Sequence, residues 1–308
     1  MATSGTYRLT TTFNDIAEEA LDILQVGADG ESISGNDTLR AMKTMNFMLK
    51  AWEGHGLHLW TQQEGSLFLV VGQSKYDFAT AKLANTWYET TLSADEALGQ
   101  TVLSCTSTAN ITADDTIGIL LDTNDIFWTT VKSKESATVT LDAALPSAAA
   151  SGAFVRNYTS TFIPVNRITE VRRRESSNYE IPVNFESRAD YFDLPDKTSQ
   201  GAIVQAYFSR QNTEGEMYVW PAPNTARDVV NFTYERPLQQ IDNVTDSFDV
   251  PGYWYEALIN NLAERLILKF GCSAERAMLI RASAQKSLDL ALSYDQEYYP
   301  ITMDIKRA

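Results

Sequence analysis

Apolar residues in the first sixty positions recur every three or four residues, which is the spacing of a helix that buries one face. The first stripe predicts a helix from about Asn14 to Val26. A second stripe predicts a helix from about Asp37 to Glu53, and its inward positions are Leu39, Met42, Met45, Leu49 and Trp52. Ser34 can cap the start of this second helix, and Gly54 can end it. We therefore expect a helical hairpin over residues 13–54.

The second stripe is rich in methionine, and two interpretations of it are open. Burial of each Met, Leu or Trp side chain contributes about 1.5–3 kcal/mol, which favours packing of the stripe against other helices. Methionine is also common on binding surfaces that adapt to a partner, because its side chain is unbranched and flexible.

The helical spacing returns near the end of the chain. A helix is expected from Pro251 to Phe270, with a core face that includes Leu258, Leu262, Leu266 and Phe270. Gly271 is expected to end it, and Ser273 to cap a last helix that reaches about Tyr294.

Between these helical ends the period changes to that of strands. Short runs rich in Val, Ile and Thr fill residues 87–158, and about six strands in this block suggest a small barrel or sandwich. A second block runs from 162 to 235, where Val230, Phe232 and Tyr234 alternate with polar residues. The segments GEMYVW and VVNFTYE, joined by PAPNTARD, are expected to form a hairpin.

These elements predict an α+β fold in which both termini form a helical-hairpin bundle around a large inserted all-β region, a sandwich plus a small nested barrel. The expected divisions are 1–64 and 241–295 for the two halves of the helical domain, 65–240 for the inserted β region with its barrel at 87–158, and 296–308 for an extended C-terminal tail.

The chain is strongly acidic. Its formal net charge is −15 and its pI is about 4.6, which opposes any general affinity for nucleic acid because phosphate binding needs clustered cations. The longest apolar run, Leu67–Val71, is too short to cross a bilayer, and no basic segment precedes an apolar run at the N-terminus. We expect neither classical secretion nor membrane insertion. Cys105 and Cys272 are expected to be free thiols in a reducing compartment.

Motifs of nucleotide, zinc, redox and hydrolase chemistry are absent from the sequence, and only two histidines are present. Glu53, His55 and His58 lie close together in sequence, but they occupy a glycine-flanked helix end without a visible fourth metal ligand. We predict no catalytic, metal or cofactor site and no enzymatic activity.

The acidic segment at Asp122–Asp125 is expected to be a hairpin turn rather than a calcium loop. Phe127 and Ser133 stand where such a loop needs a glycine and an acid.

The one dense basic run is Arg172–Arg174. On a strand its first and third side chains point away from the second, so the run forms no continuous basic patch on one face. Ion pairing within the chain or between subunits is one interpretation, and contact with nucleic acid is another.

Two terminal segments carry a resemblance to a known family: AEEALDILQVGADGESISGNDTLRAMKTMNFMLKAWEGHGL near the start and PGYWYEALINNLAERLILKFGCSAERAMLIRASAQKSLDLAL near the end. They resemble the head-to-tail adaptors of short-tailed bacteriophages, also described as tail accessory factors or packaged-DNA stabilisation proteins. The β segments GAIVQAYF, MYVWPAP and FTYERP look like the β region of larger members. The resemblance covers about half of the chain and leaves out residues 87–158.

The resemblance implies a homo-oligomeric ring, usually of twelve copies, that docks under the portal protein and presents its lower face to the next tail ring or nozzle protein. It places the protein at the head–tail junction of the virion, after synthesis in the host cytoplasm. Twelve copies would carry a charge of about −180, which suits a channel through which DNA passes without specific binding.

The resemblance also suggests contact residues. A C-terminal segment would dock on the portal, and its candidates by position are Tyr298, Tyr299, Pro300, Ile301, Met303 and Ile305. Candidates for contacts between subunits are Phe47, Met48, Arg172 and Arg174.

Two other functions are compatible with the sequence. One is a tail-associated glycan hydrolase that uses a pair of carboxylates in the β region. The other is a glycan-binding β module in which Trp87, Tyr88 and Trp128 stack on sugars, although packing in a core would explain these aromatic residues as well.

Overall fold

The structure is a computed structural model that describes residues 9–26, 34–54, 59–159, 164–211 and 214–295. It combines helices with several β-sheets, which confirms the predicted α+β class and the large β region. The chain divides into two compact units. Unit 1 comprises Met1–Thr61 and Pro237–Ala308, and unit 2 comprises Gln62–Arg236.

The described residues form five α-helices: α1 (Phe13–Leu24), α2 (Gly35–Glu53), α3 (Arg188–Asp193), α4 (Tyr255–Phe270) and α5 (Ala274–Tyr294). Short 3-10 turns precede two elements, at Leu59–Thr61 and Gly252–Trp254. Among these residues, no helix is long and apolar enough to cross a membrane.

The strands all belong to unit 2. The first nine are β1 (Gln62–Phe68), β2 (Lys75–Asp77), β3 (Leu83–Ala84), β4 (Tyr88–Thr91), β5 (Val102–Ser104), β6 (Thr116–Leu120), β7 (Ile126–Lys134), β8 (Thr138–Leu141) and β9 (Phe154–Tyr158). The others are β10 (Arg167–Arg174), β11 (Glu180–Pro182), β12 (Asn184–Phe185), β13 (Gln200–Gly201), β14 (Gln205–Arg210), β15 (Gly215–Trp220), β16 (Ala222–Pro223) and β17 (Val229–Glu235).

The described residues of unit 1 form one hydrophobic cluster, to which α1, α2, α4 and α5 all contribute buried side chains. Helix α4 supplies Leu258, Leu262 and Leu266, and Phe270 is partly buried at its end. Three tryptophans pack together in this unit, because the ring of Trp254 lies 5.4 Å from that of Trp52 and 5.2 Å from that of Trp60.

Polar caps fix the ends of these helices. Ser34 and Ser273 each accept a hydrogen bond from a backbone amide in the first turn of α2 and α5, as predicted. Gly271 ends α4 with a φ of 74°, a conformation that glycine adopts without strain.

The buried face of α2 differs from the predicted one. Met45, Leu49 and Trp52 are buried and Met42 is partly buried, but Leu39 is 50% exposed and Met48 is 0% exposed. The actual face passes through the small residues Thr38, Ala41 and Thr44. Here α2 approaches α4 closely enough for the Lys269 ammonium to donate a hydrogen bond to the Thr44 hydroxyl at 2.6 Å. A prediction based only on the large apolar residues therefore places the buried face of α2 about one residue away from its actual position.

Two sheets of unit 2 share a second hydrophobic cluster. The five-stranded sheet has the order β11-β10-β17-β1-β3, and the four-stranded sheet has the order β12-β14-β15-β2. Val230, Phe232 and Tyr234 of β17 are buried, which confirms the predicted alternation. The two ends of unit 2 lie side by side, because Gln62 in β1 pairs with Glu235 in β17.

The hairpin predicted from GEMYVW and VVNFTYE is wrong. Strand β15 pairs with β14 and β2, whereas β17 pairs with β10 and β1 in the other sheet. The connecting residues Ala222–Pro223 form β16, which pairs with β13. The chain therefore leaves one sheet after Trp220 and enters the other at Val229, a change that the alternation within each strand does not encode.

Residues 88–158 form a six-stranded half-barrel with the order β4-β9-β6-β7-β8-β5. A bridge between Leu92 and Cys105 joins its first and last strands at one end, with backbone hydrogen bonds of 2.9 Å from Ser93 to Ser104 and 2.8 Å from Thr106 to Thr91. The strand count in this block agrees with the prediction.

Candidate interaction surfaces

Several residues considered in the sequence analysis lie outside the described part of the chain. They are His55 and His58, together with the portal-docking candidates Tyr298, Tyr299, Pro300, Ile301, Met303 and Ile305. Glu53, the neighbour of these histidines, pairs with Lys50 at 2.8 Å. The described residues include no group of three or more metal-ligating side chains.

The two α2 residues proposed for subunit contacts have opposite environments. Phe47 is 73% exposed on the outer side of the helix. Met48 is part of the buried cluster of its own unit, so its assignment to a subunit interface is corrected. Phe47 is therefore the α2 side chain of this pair that is open to a partner.

The basic run on β10 makes contacts within the chain. Arg172 forms ion pairs with Glu64 at 2.7 Å and Glu180 at 3.6 Å, and the hydrogen bond that it donates to Glu64 raises the pKa of its guanidinium above the ordinary value. Arg173 points to the other face and pairs with Glu175 at 2.8 Å. Of the two interpretations of Arg172, the structure supports ion pairing within the chain.

Arg174, the other proposed interface residue on β10, is also engaged within the chain. Its guanidinium lies 4.9 Å from the ring centre of Trp87, and it donates two hydrogen bonds to Asn178. Neither arginine therefore presents a guanidinium without partners to a second subunit.

The aromatic residues considered for glycan binding belong mainly to a core. Trp87 and Trp128 pack against Phe68, with ring centres 5.4 and 4.9 Å apart. Tyr88 is half exposed on the edge strand β4. One face of Trp87 also meets Arg174, so the three residues form no open platform on which a sugar would stack.

Arg156 on β9 joins the half-barrel to the rest of unit 2. Its side chain is 3% exposed, and it donates hydrogen bonds to the Glu89 carboxylate at 2.8 Å and to the backbone carbonyls of Ala226 and Arg227. Burial lowers its pKa, but the guanidinium remains paired with Glu89. A lone arginine in AFVRNY gives no sign of this role in the sequence.

A buried carboxylate organises the same half-barrel. Asp115 is fully buried and accepts hydrogen bonds from the Thr112 backbone and hydroxyl, the Asn157 amide and the Thr159 hydroxyl, all at 2.7–2.8 Å. Burial raises the pKa of Asp115, but the hydrogen bonds outweigh this effect and hold it below the ordinary value of 3.8. The residue is fully hydrogen-bonded, which indicates a structural role.

An aromatic cluster on the outer face of the four-stranded sheet was not anticipated. The rings of Tyr207 and Tyr218, on neighbouring strands, are stacked 5.8 Å apart, and α3 places Tyr191 and the half-exposed Phe192 beside them. The Lys75 ammonium lies 5.6 Å from the ring centre of Tyr218. The pairing of β14 with β15 creates this cluster, so the sequence of either strand alone does not predict it.

Unit 1 has an open cavity of about 680 Å³ between the end of α1 and the start of α5. Asn260 lines it and is nearly buried, and its side chain makes no hydrogen bond to any described residue. Arg276 also lines it and donates to the Ile23 carbonyl at 2.7 Å.

The cysteines are both free. Burial, with a smaller effect of Glu96, raises the pKa of Cys105 to about 11, so its thiol is protonated at neutral pH and unsuited to nucleophilic chemistry.

At Asp122–Asp125 the backbone forms a turn between β6 and β7, with Asn124 at a φ of 67°, which confirms the predicted hairpin.

Comparison with known proteins adds no assignment. No protein-family model matches this chain, and no curated protein sequence is significantly similar to it.

Proposed function

We propose that this chain is a structural connector of a bacteriophage virion: a ring-forming head-to-tail adaptor that docks under the portal, extends the DNA channel and presents a platform for the next tail component. It acts without catalysis. DNA passes through the ring without specific binding, and the acidic composition suits such a wall because like charge repels the phosphate backbone.

One observation carries the proposal. Helices from both ends of the chain, α1 and α2 from the first and α4 and α5 from the second, contribute to a single hydrophobic cluster. This supports a terminal helical domain of the kind that the family resemblance implies. The paired ends of unit 2, Gln62 and Glu235, fit a β region that is inserted between the two helical hairpins.

The glycan alternatives have less support. Trp87 and Trp128 are accounted for by packing on Phe68, and the most deeply buried carboxylate, Asp115, is held below its ordinary pKa rather than raised into the range of a general acid. Within the described part of the chain, no specific contact favours a hydrolase or a sugar platform.

The test is assembly with a portal. The full-length chain is mixed with portal rings of the same phage, and the mixture is examined by light scattering and negative-stain electron microscopy. We expect a symmetric ring, of twelve copies, stacked on one end of the portal. Light scattering that detects only free portal and monomeric chain in this mixture would count decisively against the proposal.

The portal-docking role of residues 298–305 stays a prediction. A chain that ends at Asp295 is expected to keep its helical content and to lose portal binding, which circular dichroism and the same mixing experiment measure. Unchanged binding would remove the tail from the proposal without affecting the ring.

A further inference from the structure

Two outward helix faces of unit 1 carry opposite charge. The outer side of α1 is an acidic face, and α1 contains no basic residue; the face consists of Asp15, Glu18, Glu19 and Asp22. The outer side of α2 combines cations with exposed apolar side chains, and we call it the cationic face; it consists of Leu39, Arg40, Lys43, Phe47 and Lys50.

Part of each charge is already used within the chain. On α2, Arg40 lies 3.5 Å from Asp37 and Lys50 lies 2.8 Å from Glu53, whereas Lys43 forms no ion pair with any described residue. On α1, the Asp15 carboxylate caps its own helix through Thr12.

Of the remaining acidic residues on α1, Glu18 accepts a hydrogen bond from Asn14 at 2.7 Å. The carboxylates of Glu19 and Asp22 accept no hydrogen bond from any residue that the structure describes. The charges available for a contact between copies are therefore Lys43 on the cationic face and Glu19 and Asp22 on the acidic face.

The two faces also match in spacing. Charges on α1 recur over seven residues, or about 10 Å of helix, and those on α2 over ten residues, or about 15 Å. Both follow the three- and four-residue steps that keep side chains on one side of a helix. Two helices lying alongside each other can thus bring the cations of one opposite the carboxylates of the other. Phe47, 73% exposed between Lys43 and Lys50, would then be covered.

We infer that copies of this chain associate head to tail, with the cationic face of α2 in one copy on the acidic face of α1 in the next. This inference rests on the proposed ring and names the contact that builds it. Because the two faces are different surfaces, each bound copy still offers one free face, and repetition of the contact closes a ring when the rotation allows it. At a net charge of −15, copies repel each other overall, so a contact between them needs a local match of unlike charge.

A second copy explains the cationic face better than nucleic acid does. Of its three cations, two are already paired with carboxylates of the same helix, and a face with one unpaired lysine releases few counterions from a phosphate backbone.

The experiment is a charge exchange between two variants of the full-length chain. Lys43→Glu replaces the unpaired cation of the cationic face by a carboxylate, and Glu19→Lys places a cation on the acidic face. Association is measured by sedimentation velocity at about 0.05 M and about 0.5 M salt.

We expect each variant alone to associate at least about tenfold more weakly than the natural chain at low salt. An equimolar mixture of the two should recover association, because the carboxylate introduced at position 43 then meets the cation introduced at position 19, and the natural Lys43 of one variant meets the natural Glu19 of the other. Lys286→Glu, which makes the same charge change on α5, is the matched control and should behave as the natural chain.

The natural chain and the same variants are also added to portal rings, and ring occupancy is counted by electron microscopy. If Lys43→Glu and Glu19→Lys assemble singly as well as the natural chain does, the inference is wrong while the proposed function stands. If the natural chain self-associates with the expected charge dependence but never binds a portal, the contact stands and the proposed function fails. The inference is also overturned if the charge exchange leaves self-association unchanged. It is overturned as well if Lys43→Glu abolishes binding to duplex DNA while sedimentation is unaffected. Absence of any oligomer, with or without portal, overturns both.

Discussion

At the scale of single residues, the half-barrel depends on one buried carboxylate. Asp115 accepts four hydrogen bonds from three residues, and its Asp115→Asn variant replaces an acceptor oxygen by an NH₂ group that faces other donors. Since hydrogen bonds to charged groups contribute about 1.5–3 kcal/mol, we expect this variant to lower the free energy of unfolding by about 2–3 kcal/mol. Urea denaturation followed by fluorescence measures the change.

The pH dependence of this effect has a definite sign. The folded pKa of Asp115 lies below its ordinary value of 3.8, so its stabilising contribution is complete above that value and is lost as the pH falls through the folded pKa. The deficit of Asp115→Asn should therefore be largest near neutral pH and shrink in acid. The neighbouring Asp114 is exposed at a φ of 69°, which Asn tolerates, so Asp114→Asn should change stability by less than about 0.5 kcal/mol. Equal effects of the two substitutions, or a deficit that grows in acid, would contradict this account.

At the scale of elements, α5 packs on α4 largely through small residues. Its buried positions are Ile280 and the small residues Ala284, Ser287 and Ala291, and Leu288 is partly buried against the same cluster. Across this contact the buried Asn261 amide of α4 donates to the Ala284 carbonyl of α5 at 3.1 Å, and it also donates to the Ala257 carbonyl of its own helix at 2.9 Å. This hydrogen bond links the two helices directly.

We expect Asn261→Ala to weaken this attachment by about 1 kcal/mol, because it removes the hydrogen bond between the helices without adding a buried charge. Amide hydrogen exchange should become about fivefold faster in α5 and remain unchanged in α2. Asn260→Ala is the matched control, because the Asn260 side chain donates to no described residue. Exchange in α5 that does not respond, or that responds equally to both substitutions, would show that the bridge does not hold the helix.

The elements also show what local sequence can and cannot predict. Caps and stops such as Ser34, Gly271 and Ser273 act within one turn, so their positions were predictable. The pairing of β15 was not, because the choice of partner strand depends on burial across two sheets rather than on the intervening residues. The same limit applies to candidate sites: Arg156 binds a carbonyl 70 residues away, and the Tyr207–Tyr218 stack depends on the register between two neighbouring strands.

At the scale of the whole molecule, each unit has its own hydrophobic core and its own cysteine. Among the residues that the structure describes, unit 2 contains three hydrophobic clusters and the buried Cys105, whereas unit 1 contains one cluster and the half-buried Cys272. The rate at which each natural thiol reacts with a reagent can therefore report the opening of its own unit, and no cysteine has to be introduced by mutation.

We expect residues 62–236 to fold when expressed alone. The first and last strands of this unit pair directly, so separation from the rest of the chain leaves two ends side by side in a sheet and cuts no strand. The isolated unit should unfold cooperatively, and its Cys105 should react with a thiol reagent as slowly as it does in the full-length chain. Because burial keeps this thiol protonated and inaccessible, reaction requires the half-barrel to open, and its rate follows the stability of the unit. Cys105 could instead react rapidly in the fragment and slowly in the full-length chain. The β unit would then depend on the helical unit for its stability, and residues 62–236 would not be an independent domain.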